Sequence, residues 1–211
     1  MKKENMIKKF ASNIAVSFFF AALFVVIFYF FLENSASSYV SLINTAAVRD
    51  ADEEKIATYN FDAKRLINYP KYGSKYATLE IEKAKIKLPV YLGDTKKILR
   101  LGVGHYYGSY FPGELGTIIY AAHNNPGYFQ NLGKVKIGDI AIVNASYGTF
   151  KYKVFETKVV KETDVDEFDI QSDKEILLMY TCWPIDRNLI GRKRERLIVL
   201  AERIGEINEE K

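Results

Sequence analysis

One thiol, two imidazoles and a knot of guanidinium groups are the side chains of this 211-residue chain best suited to covalent chemistry. Cys182 is the only cysteine. It stands at the exit of Glu175-Ile176-Leu177-Leu178-Met179-Tyr180-Thr181-Cys182-Trp183-Pro184, whose run from Ile176 to Tyr180 reads as a buried strand ended by proline. A strand buried on both faces holds its last residue rigidly, which suits a group that must be aimed. A thiol of pKa about 8.5 is mostly protonated at neutral pH and needs a base or a cation beside it. His123 follows Thr117-Ile118-Ile119-Tyr120-Ala121-Ala122 and so sits at a second strand exit. Arg192, Lys193, Arg194 and Arg196 crowd the start of the last strand, where a guanidinium could hold the oxygen that turns anionic when a thiolate attacks a carbonyl. Thiol, imidazole and guanidinium on three strands would serve acyl transfer through a thioester. The plain alternative is a lone cysteine packed as a small hydrophobe.

The elements that must position these groups are mostly strands. Leu79 to Glu82 alternates, and Ala84 to Leu88 alternates in the opposite phase, so a bulge or break is expected near Lys83. Ile118–Ala122 is a short buried run. Ile140–Asn144 and Phe150–Val154 read as a hairpin with a five-residue loop, Ala145 to Thr149. Val159-Val160, Ile176–Thr181 and Leu197–Ala201 bring the total to about eight strands. Turns are expected near Tyr128–Leu132 and Val165–Ile170. The 15 Tyr and 14 Phe, against one Trp and five Pro, also lean towards sheet. Short strands at close spacing with Gly-rich turns point to a closed barrel or a sandwich.

Composition excludes several functions. One cysteine rules out an intrachain disulfide framework and a zinc site built on cysteine pairs. The net charge is +4, of which the first nine residues carry +3 (Lys2, Lys3, Lys8 and Lys9 against Glu4), so no basic folded domain is left to bind nucleic acid. Phe10 to Leu32 is 23 residues without a charge, enough to cross about 30 Å of hydrocarbon and longer than the apolar core of a cleavable signal peptide. The chain therefore reads as a basic cytoplasmic tail (1–9), a transmembrane signal anchor (10–32), an extracytoplasmic spacer with one or two helices (33–78) and a β domain outside the membrane (79–211). Small residues at Asn34–Ser38 leave cleavage as the alternative.

Three motifs in this order resemble the sortase family over residues 79–204. Leu178-Met179-Tyr180-Thr181-Cys182 occupies the slots of the family's TLxTC motif, and Ala122-His123 those of its Ala/Gly-His motif. Arg196 stands five residues before Ala201, as the family's arginine does. Gly102-Val103-Gly104-His105-Tyr106-Tyr107-Gly108-Ser109 followed by Pro112-Gly113-Glu114 looks like the segment found upstream of the histidine in several sortase classes. Leu178 and Met179 depart from the family's threonine and leucine, and no Asp-Pro lid dipeptide of the pilin-building class C enzymes is present. The likeness is nearest to class D-like sortases.

What this resemblance implies is a closed eight-stranded barrel and a cell-wall transpeptidase of a Gram-positive bacterium. Cys182 would attack the Thr–Gly bond of an LPxTG-like sorting signal on a secreted surface protein and form a thioacyl intermediate. His123 would act as general acid and base, and Arg196, with Arg194 as its alternate, would bind the oxyanion or the substrate. The acceptor amine would come from lipid II, a peptidoglycan cross-bridge or a pilin lysine. No cofactor or metal is implied. Thr181, Trp183, Val165 and Phe168 are candidate substrate contacts, the last two in the loop region Val159–Asp173; packing is the competing reading for Trp183, and barrel cover for Val165, Phe168 and Ile170. His105 is expected to be structural. Asn124 and Asn125 either orient the imidazole or turn the chain. The rivals to transpeptidation are a thiol hydrolase, a non-catalytic membrane-tethered β domain, and more remotely an L,D-transpeptidase.

Overall fold

The computed structural model describes residues 15–30, 58–60, 63, 65–167, 169–183 and 195–208. The chain divides into two compact units, Met1–Val40 and Ser41–Lys211. In the first, residues 15–30 are helical with exposed apolar side chains such as Phe18, Phe24 and Val25. Among the described residues no helix is long and apolar enough to cross a membrane. Both ends of the expected span, residues 10–14 and 31–32, lie outside the described residues.

The second unit is a closed barrel of eight strands: β3 (Lys75–Ile81), β4 (Ile86–Leu92), β5 (Val103–His105), β6 (Gly116–Ala121), β7 (Ile140–Ala145), β8 (Gly148–Lys161), β9 (Glu175–Trp183) and β10 (Glu195–Asn208). Round the barrel they run β10-β8-β7-β3-β4-β5-β6-β9 and back to β10. The β4–β5 and β6–β9 pairs are parallel and the rest antiparallel. Closure leaves no sheet edge, and inward positions fill the lumen with Leu79, Ile81, Ile118, Tyr120, Phe150, Leu177, Met179 and Val199. A smaller apolar patch, Leu178, Ile198 and Leu200 with Ile119, Val160, Ile176 and Tyr180, lies on the opposite face of the β6–β9–β10–β8 wall.

Several expectations shift. The loop between β7 and β8 has two residues, Ser146 and Tyr147, because Ala145 still pairs with Gly148. Val159-Val160 is no separate strand but the end of the 14-residue β8. The phase change near Lys83 is a single 3₁₀ turn, Glu82–Ala84, closed by Lys85 at φ 53°. In the supposed helical spacer, β1 (Thr58–Asn60) and β2 (Arg65–Asn68) pair as antiparallel strands, and residues 75–78 already belong to β3. The inward Tyr59 and Leu66 are buried in the barrel core, so tertiary burial wins over the helix-compatible composition.

The Pro112-Gly113-Glu114 turn plugs the barrel end where β6 and β9 begin. Glu114 accepts N–H bonds from Leu66 and Phe111, and Gly113 N–H donates to Glu175. Gly113 has φ +96°, and a Cβ there would press on the rings of Tyr59 and Phe150. Glu175 is itself buried, held by Tyr152 Oη and by Arg203, whose guanidinium lies 4.7 Å from the Phe150 ring centroid.

Candidate active site

Cys182 sits one residue from the end of β9, half-buried. It shares the outer face with Ile176, Leu178 and Tyr180, since alternate residues of a strand point the same way. On the neighbouring strand its register partner is Arg196. Directly opposed residues of an antiparallel pair have Cβ atoms roughly 4.5–5.5 Å apart on one face, so thiol and guanidinium stems emerge together. On the other side β6 runs parallel to β9 with Ala121 level with Tyr180. His123 and Cys182 each stand two residues beyond that last pair, at the exits of adjoining strands. Cys182 and Arg196 are thus paired across β9 and β10, and His123 stands just past the end of the adjoining β6.

The imidazole is half-buried between β6 and the following turn. Its ring meets Tyr128 edge-to-face at 5.9 Å, and Tyr128 Oη donates to the Arg100 carbonyl. Burial, and after it the positive charge of Arg100, lower the His123 pKa below its ordinary 6.5. The neutral ring, able to take a proton, therefore prevails at neutral pH. Arg196 is ion-paired with Glu162 at 2.6 Å and also donates to the Glu195 carbonyl. Glu162 opens the 3₁₀ turn Glu162–Glu167 that follows β8, so the guanidinium is tethered to that loop.

The remaining candidates divide. Thr181 is buried, its hydroxyl donating to the Ala122 carbonyl at 2.8 Å, so it stitches the two strand exits together instead of facing a ligand. Trp183 alternates to the inward side and packs on the main core, which is the packing alternative. Val165 lies in the 3₁₀ turn; its side chain and Phe168 are outside the described residues. Ile170 ties its loop to the barrel by accepting the Thr117 N–H. His105 is fully buried: Ser109 Oγ gives its proton to the Tyr106 carbonyl, so it accepts from His105 Nε2, and Nδ1 accepts from Tyr76 Oη. Asn124 is a residue whose role the sequence left open: its amide donates to the Cys182 carbonyl at 2.6 Å.

On the outer face a cavity of about 380 Å³ opens over Ile176, Leu178 and Leu200, bounded by Thr117, Phe155 and Asp169. A second, of about 570 Å³, is lined by Tyr69, Tyr107, Phe111 and Glu114 at the far end of β6 and holds none of the three reactive groups. Among the described residues no three His, Cys, Asp or Glu side chains gather as a metal site. The arrangement suits a thiol attacking a carbonyl of an extended chain laid along β9.

Residues 79–204 match the family model described as "Sortase domain". The chain is 34% identical over 135 residues to Sortase D of Bacillus subtilis (strain 168), covering 64% of this chain and 67% of that one. Among solved structures it is similar to the Clostridium perfringens Sortase D5 transpeptidase (27% identity, TM-score 0.58, 65% of this chain and 83% of that one). It is also similar to Clostridium perfringens sortase C solved with the C-terminal cell wall sorting motif (33% identity, TM-score 0.56, 64% and 73% covered).

Proposed function

The chain belongs to the sortase family of cysteine transpeptidases, and we propose that it is a membrane-anchored member that joins LPxTG-like sorting signals to an amine outside the cell. The observation that carries the reading is the opposition of Cys182 and Arg196 across the β9–β10 ladder, with His123 just past the end of the β6 strand that adjoins β9. The Cys182 sulfur attacks the threonine carbonyl, its proton passing to His123. Arg196 steadies the oxygen that becomes negative. The C–N bond to glycine breaks as His123 returns the proton to the leaving amine, and the acyl group stays on sulfur as a thioester. An incoming amine then attacks that carbonyl, giving its proton to His123, and the thiol is restored when the C–S bond breaks.

The outer apolar face supports the substrate class. A signal of four extended residues at about 3.4 Å each reaches about 14 Å from the sulfur. Four residues back along β9 stands Leu178, where the cavity over Ile176 and Leu200 would receive apolar side chains. Anchoring is supported by the uncharged stretch Phe10–Leu32 behind Lys2, Lys3, Lys8 and Lys9. Lipid II, a cross-bridge amine and a pilin lysine share the primary amine this chemistry needs.

The test is incubation of the protein with an LPxTG peptide and a primary amine. A new amide bond, lost in Cys182→Ala, is the expected product. Free acid alone would mean that water is the acceptor and the protein a hydrolase, and no cleavage of any such peptide would remove the substrate class.

A further inference from the structure

The β6–β9 ladder pairs residues only as far as Ala121 and Tyr180, and both His123 and Cys182 lie two residues beyond it. Three further bonds hold the exits together. The Ala122 N–H reaches the Tyr180 carbonyl at a long 3.4 Å, Thr181 Oγ1 donates to the Ala122 carbonyl at 2.8 Å, and Asn124 Nδ2 donates to the Cys182 carbonyl at 2.6 Å. The last is the shortest and grips the nucleophile's own residue. A carbonyl oxygen only accepts, so the amide must present its NH₂ there and its Oδ1 elsewhere. Asn124 is 7% exposed, and among the described residues Oδ1 has no hydrogen-bond partner. A buried orphan acceptor costs about 1–3 kcal/mol, which an asparagine that merely turned the chain would avoid by facing water.

We propose that Asn124 is a positioning residue for acyl transfer, locking the Cys182 backbone onto the histidine-bearing segment so that sulfur and imidazole stay within proton-transfer reach. This rests on the roles given above to Cys182 and His123. With Asn124→Ala the ladder and the Thr181 bond remain, so the barrel keeps its register while the strand exit loosens. A misplacement of about 1 Å costs up to about 100-fold in rate. The kcat for thioester formation therefore falls roughly 10- to 100-fold, and KM changes little because the apolar floor is untouched.

The test uses the full chain and two readouts. Alkylation of Cys182 by iodoacetamide between pH 5 and 10 needs no sorting signal. The intact protein is expected to alkylate several-fold faster than N124A around neutral pH, because the His123 imidazole can take the proton only from a thiol held beside it. N124D, equal in volume but presenting an acceptor to an acceptor, carries the same test should N124A not fold. N124Q, which keeps the donor, is expected to recover part of the lost kcat. If both variants keep the parent alkylation profile and kcat while only Tm falls, Asn124 is a structural cap and the proposal is overturned. If the profile changes yet no LPxTG peptide is ever cleaved, Asn124 keeps its role and the substrate assignment fails.

Discussion

Acidification is expected to unfold this barrel through one buried imidazole, His105, which takes no part in the chemistry. The ring is wholly buried, donating to Ser109 and accepting from Tyr76, whose hydroxyl also bonds Tyr120. Burial drives its pKa down to about 3, against 6.5 in the unfolded chain, opposed only by a backbone hydrogen bond with Tyr110. Because the folded value is the lower one, the neutral ring's contribution is whole above pH 6.5 and is lost as pH falls towards 3. At about 1.4 kcal/mol per pH unit the loss is about 3 kcal/mol at pH 4.5, and about 4 kcal/mol if the fold survives to pH 3. His105→Gln keeps one donor and one acceptor but does not titrate. Urea unfolding followed by fluorescence of Trp183, the sole tryptophan, gives stability at each pH for both proteins. Carboxylates contribute to both curves, so their difference isolates the imidazole, and the parent should lose about one proton's worth of stability more steeply. Parallel curves from pH 6.5 to 4 would refute the reasoning. At pH 7 the folded variant should still acylate Cys182, which His123→Ala should not.

Four other outcomes follow from the same geometry. The acid limb of kcat/KM should lie below pH 6.5, since His123 loses its basic form only as pH falls through a lowered pKa, and Arg100→Gln should move that limb upward. Replacing Arg196 by alanine should lower kcat about 100- to 1,000-fold if it holds the oxyanion, read as the rate of thioester formation by mass spectrometry; a change under threefold would remove it from that role. Glu162→Gln breaks a half-exposed ion pair, so unfolding free energy should move by no more than about 1 kcal/mol, and a larger loss would mean that the tether holds the loop's fold. Arg203→Leu strands the buried Glu175 carboxylate and should cost about 3–5 kcal/mol at pH 7 in denaturant titration.

Residue order alone determined which groups are candidates for the chemistry and where the buried strands ahead of Cys182 and His123 run. An unbroken apolar run ahead of Cys182 and another ahead of His123 make two buried strands, because the side-chain period of a strand is two and neither run leaves a face for water. The resemblance to the sortase motifs singled out Arg196 by its place before Ala201 and marked the upstream His105 segment as architecture. What local pattern does not carry is pairing. Residues 58–60 and 65–68 suit a helix by composition, yet they pair as two strands because the barrel offers Tyr59 and Leu66 a core to enter. Trp183 neighbours Cys182 in sequence but alternates to the other face, and the Thr181 hydroxyl is taken up by a carbonyl 59 residues away. Asn124 on Cys182 and Glu162 on Arg196 join residues 58 and 34 positions apart. Such partners are set by strand register round a closed sheet, a long-range property that only the folded chain decides.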